Sequence, residues 1–204
     1  QSEAAEILTR NGKVSGVRTT YGEIIPAKAA VLATGVYLNG AVIAGEWKQS
    51  AGPNGFAPAT ALTQNLIDLG FTVRRFKTGT PARVNGRTID YSKCERQDGD
   101  TGIYPFSYLS EGVPQAQTPC YLTYTNEQTH AIIRANLHRS PLYAGVIKGT
   151  GPRYCPSIED KVVRFADKER HQIFLEPECA GSHEVYVQGM SSSLPHDVQL
   201  AMYR

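Results

Sequence analysis

An α/β fold is predicted for this chain by three observations. Strand-like and helix-like segments interleave along its whole length. A short β-meander near the start runs into a continuous apolar stretch, Ala27-Lys28-Ala29-Ala30-Val31-Leu32-Ala33-Thr34-Gly35, which suits a parallel strand buried on both faces. The second half holds a helix with a full start signal: Ser157 as N-cap, Asp160 three residues on, then Ile158, Val162 and Phe165 at helical spacing.

Taken in order, the meander opens at Ile7-Leu8 and turns at Asn11-Gly12, a strong hairpin signal. Its second strand covers residues 14–20, and its third is Glu23-Ile24-Ile25 after a turn at Tyr21-Gly22. Residues 36–58, with Gly40, Gly45, Gly52, Gly55 and the single Trp47, read as a loop. Leu62, Leu66 and Leu69 form a helical stripe closed by Gly70. A strand is expected over 71–76, where Arg74, Arg75 and the following Lys77 make a local basic cluster.

The run Lys77-Thr78-Gly79-Thr80-Pro81-Ala82-Arg83 punctuates the chain without satisfying the Walker A pattern. A domain boundary is placed there, giving domains 1–80 and 81–204. Residues 84–118 are polar and glycine-rich, with one short strand expected at Arg87-Ile89-Tyr91 and with Tyr91, Tyr104 and Tyr108 packing a loop-rich surface. Pro119–Tyr124 reads as a strand, and Thr125 as the cap of a helix with Gln128 completing a capping box. That helix turns Ile133 and Leu137 inward and ends near Arg139-Ser140-Pro141. Two more strands are expected at 171–178 and 184–187, and a last helix after Ser191-Ser192-Ser193-Leu194-Pro195.

Of the 204 residues, 41% are hydrophobic, yet no apolar run approaches the ~20 residues of a membrane-spanning helix. A net charge of +2 does not by itself argue for nucleic acid. The four cysteines, Cys94, Cys120, Cys155 and Cys179, form no CxxC pair, and the five histidines form no ligand motif. No metal is expected, and a reducing, cytoplasmic compartment is the simplest reading. The chain starts without methionine, inside a strand, and is expected to be a fragment of a longer protein.

The chemistry concentrates at Gly149-Thr150-Gly151-Pro152-Arg153-Tyr154-Cys155-Pro156-Ser157-Ile158-Glu159-Asp160-Lys161. Cys155 stands just ahead of a helix start, between Arg153 and Lys161, where exposed N–H groups and cations favour the thiolate. The glycine, Arg153 and the open helix end equally suit a dinucleotide phosphate. Thiolate and phosphate repel, so both readings hold only at different steps or with a protonated cysteine. Cys120, in a strand among aromatics, reads as a core thiol.

Several long motifs carry a resemblance: KTGTPAR at 77–83, PCYLTYTNEQTH at 119–130, RSPLYAGVIKGTGPRYCPSIEDKVVRFADK at 139–168, HQIFLEPE at 171–178 and SSSLPHDVQ at 191–199. Together with ATG at 33–35 they resemble the GidA/MnmG family of FAD-dependent tRNA wobble-uridine modification enzymes. The resemblance implies a chain made of the later part of a two-dinucleotide-fold FAD-binding domain (1–80) and an incomplete inserted α/β, NAD-associated domain (81–204). No GxGxxG occurs, so the pyrophosphate-binding half of the flavin site would lie outside this chain. It further implies FAD, NADH, methylene-tetrahydrofolate as one-carbon donor, tRNA as substrate, the GTPase MnmE as partner, and a homodimer. Carried over residue by residue, it makes Cys155 catalytic, as nucleophile or acid/base. Its dinucleotide stretch covers Gly151–Phe165, that is Gly151, Pro152, Arg153, Tyr154, Cys155, Pro156, Ser157, Ile158, Glu159, Asp160, Lys161, Val162, Val163, Arg164 and Phe165. Thr34 and Gly35 would touch the flavin, and Ala59 falls where the family often has a hydroxyl. The alternatives are a folate- and FAD-dependent tRNA uracil-5-methyltransferase, or a binding module with no activity of its own.

Overall fold

A computed structural model describes residues 2–112, 117–149 and 156–204. The chain divides into two compact units, 2–76 with 148–149, and 77–147 with 156–204.

In the first unit β1 (Ala4–Arg10), β2 (Lys13–Thr19) and β3 (Ile24–Pro26) form an antiparallel sheet in that order. Asn11 and Gly12 both take positive φ, 51° and 73°, the geometry a two-residue hairpin turn demands. Helix α1 (Ala61–Asp68) lies on β1 and buries Leu62 and Leu66 with Ile7. Asn65 Oδ1 accepts the Ile7 N–H at 2.8 Å, so helix and strand are also joined by a directional bond. Residues 36–58 are not simply a loop: β4 (Ala41–Ala44) and β5 (Trp47–Ser50) pair as a hairpin turned at Gly45.

Two expected strands do not form here. Residues 27–35 carry no regular structure, and Val31 is 93% exposed. A strand buried on both faces needs partners on both edges, and among the described residues none pairs with it. Residues 71–75 are likewise irregular, with Phe71 and Phe76 exposed and Arg75 Nη1 donating to the Asn39 carbonyl at 2.8 Å.

The second unit is built on a five-stranded sheet. Its members are β6 (Arg83–Asn85), β7 (Glu95–Gln97), β8 (Cys120–Tyr124), β9 (Gln172–Pro177) and β10 (Glu184–Gln188). The order is β6-β10-β9-β8-β7 and every pairing is antiparallel. The expected strand at 87–91 is replaced by two 3-10 turns, Gly86–Thr88 and Tyr91–Lys93. Asn85 and Asp90 start them by accepting N–H bonds two residues on, a local geometry that competes with strand pairing.

Ile173 and Leu175 on β9 and Val185 and Val187 on β10 alternate onto one buried face. Against them pack Ile133 of α2 (Glu127–Ala135), Ile158 and Val162 of α3 (Ile158–Arg164), and Val198 and Met202 of α4 (His196–Tyr203). The fold is mixed α/β, with antiparallel rather than parallel sheets. Tyr91 packs on Tyr121 with ring centroids 4.4 Å apart, whereas Tyr104 and Tyr108 stand fully in solvent instead of packing.

The cap of α2 falls one residue later than expected. Asn126 Oδ1 accepts the Thr129 N–H at 2.8 Å, because Thr125 is engaged elsewhere. Replacing Asn126 with alanine is expected to cost about 1 kcal/mol in urea-unfolding free energy, the usual worth of a cap.

Candidate functional site

Three motifs separated in sequence converge on the start of α3. Ser157 Oγ accepts the Asp160 N–H at 3.2 Å and closes the N-terminus as expected. Ile158 donates its N–H to the Ser191 carbonyl at 2.8 Å. Glu159 is fully buried, and its Oε1 accepts from Ser193 N–H at 3.2 Å and Ser140 Oγ at 3.4 Å. Among the described residues its Oε2 has no partner. Asp160 Oδ1 accepts from the Tyr143 hydroxyl at 3.3 Å. Burial, then the Asp160 charge, pushes the Tyr143 phenol up. Lys161 Nζ donates to the Gly189 carbonyl at 3.2 Å, and burial pulls its ammonium down.

Gly189 itself must be glycine: its φ is +101°, and a Cβ would lie 2.8 Å from the Gln172 carbonyl oxygen. A bidentate pair, Arg139 to Asp197 at 2.8 and 3.0 Å, ties the residue before Ser140 to the first turn of α4. The segments 139–143, 157–161 and 189–197 thus form one hydrogen-bonded base that begins at the second residue after Cys155.

Gly151, Pro152, Arg153, Tyr154 and Cys155 lie outside the described residues. Of the rest of the expected dinucleotide stretch, Ser157, Ile158, Glu159, Asp160 and Val162 are buried in the unit's core. Only Pro156, Val163, Arg164 and Phe165 are exposed, and Lys161 is half-buried. The two acidic residues in the first turn already offset the helix dipole, and α3 has only seven residues. This described part therefore does not fit a dinucleotide phosphate.

The flavin-side residues meet in the first unit. The Tyr37 N–H donates to the Thr34 carbonyl at 3.2 Å, and the Tyr37 carbonyl accepts the Ala59 N–H at 3.0 Å. Ala59's carbonyl accepts from Asn39 N–H and Thr63 Oγ1, so this residue offers a ligand only its methyl group. Gly35 has φ +54° with open space where a Cβ would stand. Its amide and that of Val36 make no hydrogen bond among the described residues. An open glycine turn with spare donors fits close approach by a flavin.

Sequence reasoning missed a buried polar cluster. Thr125 Oγ1 bonds His130 Nε2 at 2.8 Å and accepts the His171 N–H at 2.8 Å. The two imidazole rings lie with centroids 5.2 Å apart, tilted by 35° to one another. The signal was present as TNEQTH and HQIF, but the pairing depends on β8 lying beside β9. Burial, then Arg134, lowers the affinity of His130 for a proton; burial, then His130, does the same for His171. With folded values depressed below the ordinary 6.5, the unfolded chain binds these protons first. Their contribution to stability is complete above that pH and is lost as pH falls through the folded values. The melting temperature is expected to fall as pH drops from 7 to about 5, and His171→Gln to flatten that part of the profile. A calorimetric pH series checks it.

Cys94, Cys120 and Cys179 form no disulfide. Burial pushes the half-buried Cys120 thiol up, as suits a packed, unreactive sulfur. No helix among the described residues is long and apolar enough to cross a membrane.

The family described as glucose inhibited division protein A matches residues 1–204. A relative from Caldicellulosiruptor saccharolyticus, named tRNA uridine 5-carboxymethylaminomethyl modification enzyme MnmG, is 59% identical over all of this chain and 33% of its own length. The protein of that name from Heliobacterium modesticaldum is 57% identical, over 32% of its length. The solved structure of Aquifex aeolicus GidA, crystal form I, matches with a TM-score of 0.90 and 48% identity, over 100% of this chain and 35% of that one. Crystal form II gives 0.89 and 44%, with 33% of that chain covered. The chain spans about a third of the length of the curated relatives it matches.

Proposed function

The chain belongs to the glucose inhibited division protein A family, and on that footing we propose that it is part of an FAD-dependent enzyme that modifies the wobble uridine of tRNA at C5. The carrying observation is the base at α3, where Ser140, Glu159, Lys161, Gly189 and Ser193 from distant segments hold one another just beyond Cys155. Such an immobilised helix start is what a reactive side chain needs beside it to be aimed reproducibly.

The uracil C5 is a poor nucleophile until a group adds at C6 or a proton is managed nearby. Cys155 would do one of these, as thiolate nucleophile or as acid/base. Thr34, Gly35 and Ala59 would hold the flavin, which when bound supplies redox chemistry. NADH as reductant, methylene-tetrahydrofolate as one-carbon donor, MnmE as GTPase partner, homodimerisation and a cytoplasmic location belong to the same proposal. So does the division into a flavin-domain part (1–80) and an inserted domain (81–204). Within the described residues a dinucleotide on Gly151–Phe165 has only Pro156, Val163, Arg164 and Phe165 as exposed contacts.

The test is nucleoside analysis of tRNA from cells lacking the longer protein and complemented with it. Restored 5-carboxymethylaminomethyl-type uridine is expected. Appearance of 5-methyluridine as the sole product would transfer the chain to methyltransferase chemistry.

A further inference from the structure

We propose that Tyr37 is a positioning residue for the flavin: its ring, seated on Gly52, fixes the turn Thr34–Tyr37 that would hold the cofactor. The inference rests on the reading of Thr34, Gly35 and Ala59 as flavin contacts and names what keeps them in register.

The turn closes where the Tyr37 N–H donates to the Thr34 carbonyl at 3.2 Å, with Gly35 and Val36 as its two central residues. Gly35 has no side chain and Val36 stands 59% exposed, so neither fastens the turn to the rest of the unit. Tyr37 does so in two ways. Its carbonyl accepts from the Ala59 N–H at 3.0 Å and the Gly40 N–H at 3.2 Å, and its half-buried ring packs on Gly52. The first tie is made by backbone and is indifferent to the side chain. The second is made by the ring alone.

Gly52 is there for space. Its φ of −87° is open to any residue, so the backbone does not call for glycine. A Cβ, however, would lie 2.7 Å from Tyr37 Cδ1, 2.9 Å from Cε1 and 2.9 Å from the Ala57 carbonyl oxygen. Gly52 is buried, and its N–H donates to the Phe56 carbonyl at 2.8 Å, closing a short loop that contains Pro53. The ring therefore rests on a stiff floor.

The hairpin β4–β5 separates ring and floor in sequence and joins them in space. Its foot is closed by the Ala51 N–H donating to the Gly40 carbonyl at 3.2 Å, and a Cβ on Gly40 would lie 2.6 Å from the Ala51 carbonyl oxygen. Beside this foot Asn39 donates its N–H to the Ala59 carbonyl at 3.0 Å and accepts from Arg75 Nη1 at 2.8 Å. Without the ring the turn is free to tilt about its backbone ties, and hydrogen bonds from the Gly35 and Val36 amides to a cofactor weaken steeply once misaligned.

Titration of FAD into the deflavinated full-length protein, read by flavin fluorescence, tests the role. Tyr37→Ala is expected to weaken FAD binding at least about tenfold, the worth of one net hydrogen bond. Tyr37→Phe keeps the ring and is expected to bind within about twofold of wild type. Gly52→Ala disturbs the same contact from the floor and is expected to weaken binding as Tyr37→Ala does. Ile7→Val, in the core under α1, is the control: it is expected to lower the melting temperature of the deflavinated protein yet keep its FAD affinity. Wild-type affinity in Tyr37→Ala or Gly52→Ala overturns the positioning role. So does a loss in Tyr37→Phe or Ile7→Val equal to that in Tyr37→Ala. A wild-type protein that takes up no FAD overturns the flavin reading itself and this inference with it, whereas equal binding by wild type and variants overturns this inference alone.

Discussion

Cys155→Ser is expected to reduce wobble-uridine modification by the full-length protein at least about 10³-fold, because a serine hydroxyl without a thiol's acidity is a far weaker nucleophile and proton donor. The substitution changes one atom, and the bonds of the helix start among the described residues run from Ser157 onward, so the melting curve is expected to stay put. Cys94→Ser, Cys120→Ser and Cys179→Ser serve as controls and are expected to keep modification within about twofold, since a free surface or packing thiol contributes little. Liquid chromatography of tRNA nucleosides reads all four. Full modification by the Cys155 variant would remove that residue from the mechanism.

Glu159→Ala is the change with the largest expected effect on stability. It deletes a fully buried side chain and leaves the Ser193 N–H and the Ser140 hydroxyl without their acceptor. Lost hydrogen bonds and a new void together are expected to cost about 2–4 kcal/mol. Glu159→Gln keeps an acceptor oxygen and nearly the same volume, so about half that cost is expected. Urea unfolding of both variants makes the comparison. A loss below about 0.5 kcal/mol for alanine, the range of an ordinary surface change, would mean that the carboxylate is not a structural tie.

Much of the fold was legible because local chemistry decides it. Asn11-Gly12 has few options besides a tight hairpin turn, and Ser157 with Asp160 marks a helix start whatever surrounds it. The misses arise where tertiary partners decide. Residues 27–35 have the composition of an inner strand but no strand beside them among the described residues. Thr125 looked like the helix cap, yet its hydroxyl is claimed by His130 and His171, and the cap passes to Asn126. β4 and β5 were hidden because Gly40, Gly45 and Gly52 read as loop, whereas Gly45 is only the turn of a hairpin.

The candidate site divides in the same way. Motif reading named Thr34, Gly35 and Ala59 as flavin contacts, and the backbone of Tyr37 bonds both Thr34 and Ala59. It could not show that Glu159 and Asp160 face inward, since residue type alone places a carboxylate in solvent.

The strand order has a consequence for how the protein is made. β6 pairs with β10, roughly one hundred residues later in the sequence, while β9 must already lie between β10 and β8. During synthesis β6 leaves the ribosome first among the five and stays unpaired until the last strand emerges. Translation speed through that interval sets how long the nascent edge is open to wrong partners, so a chaperone would do most for this chain between the emergence of β6 and that of β10.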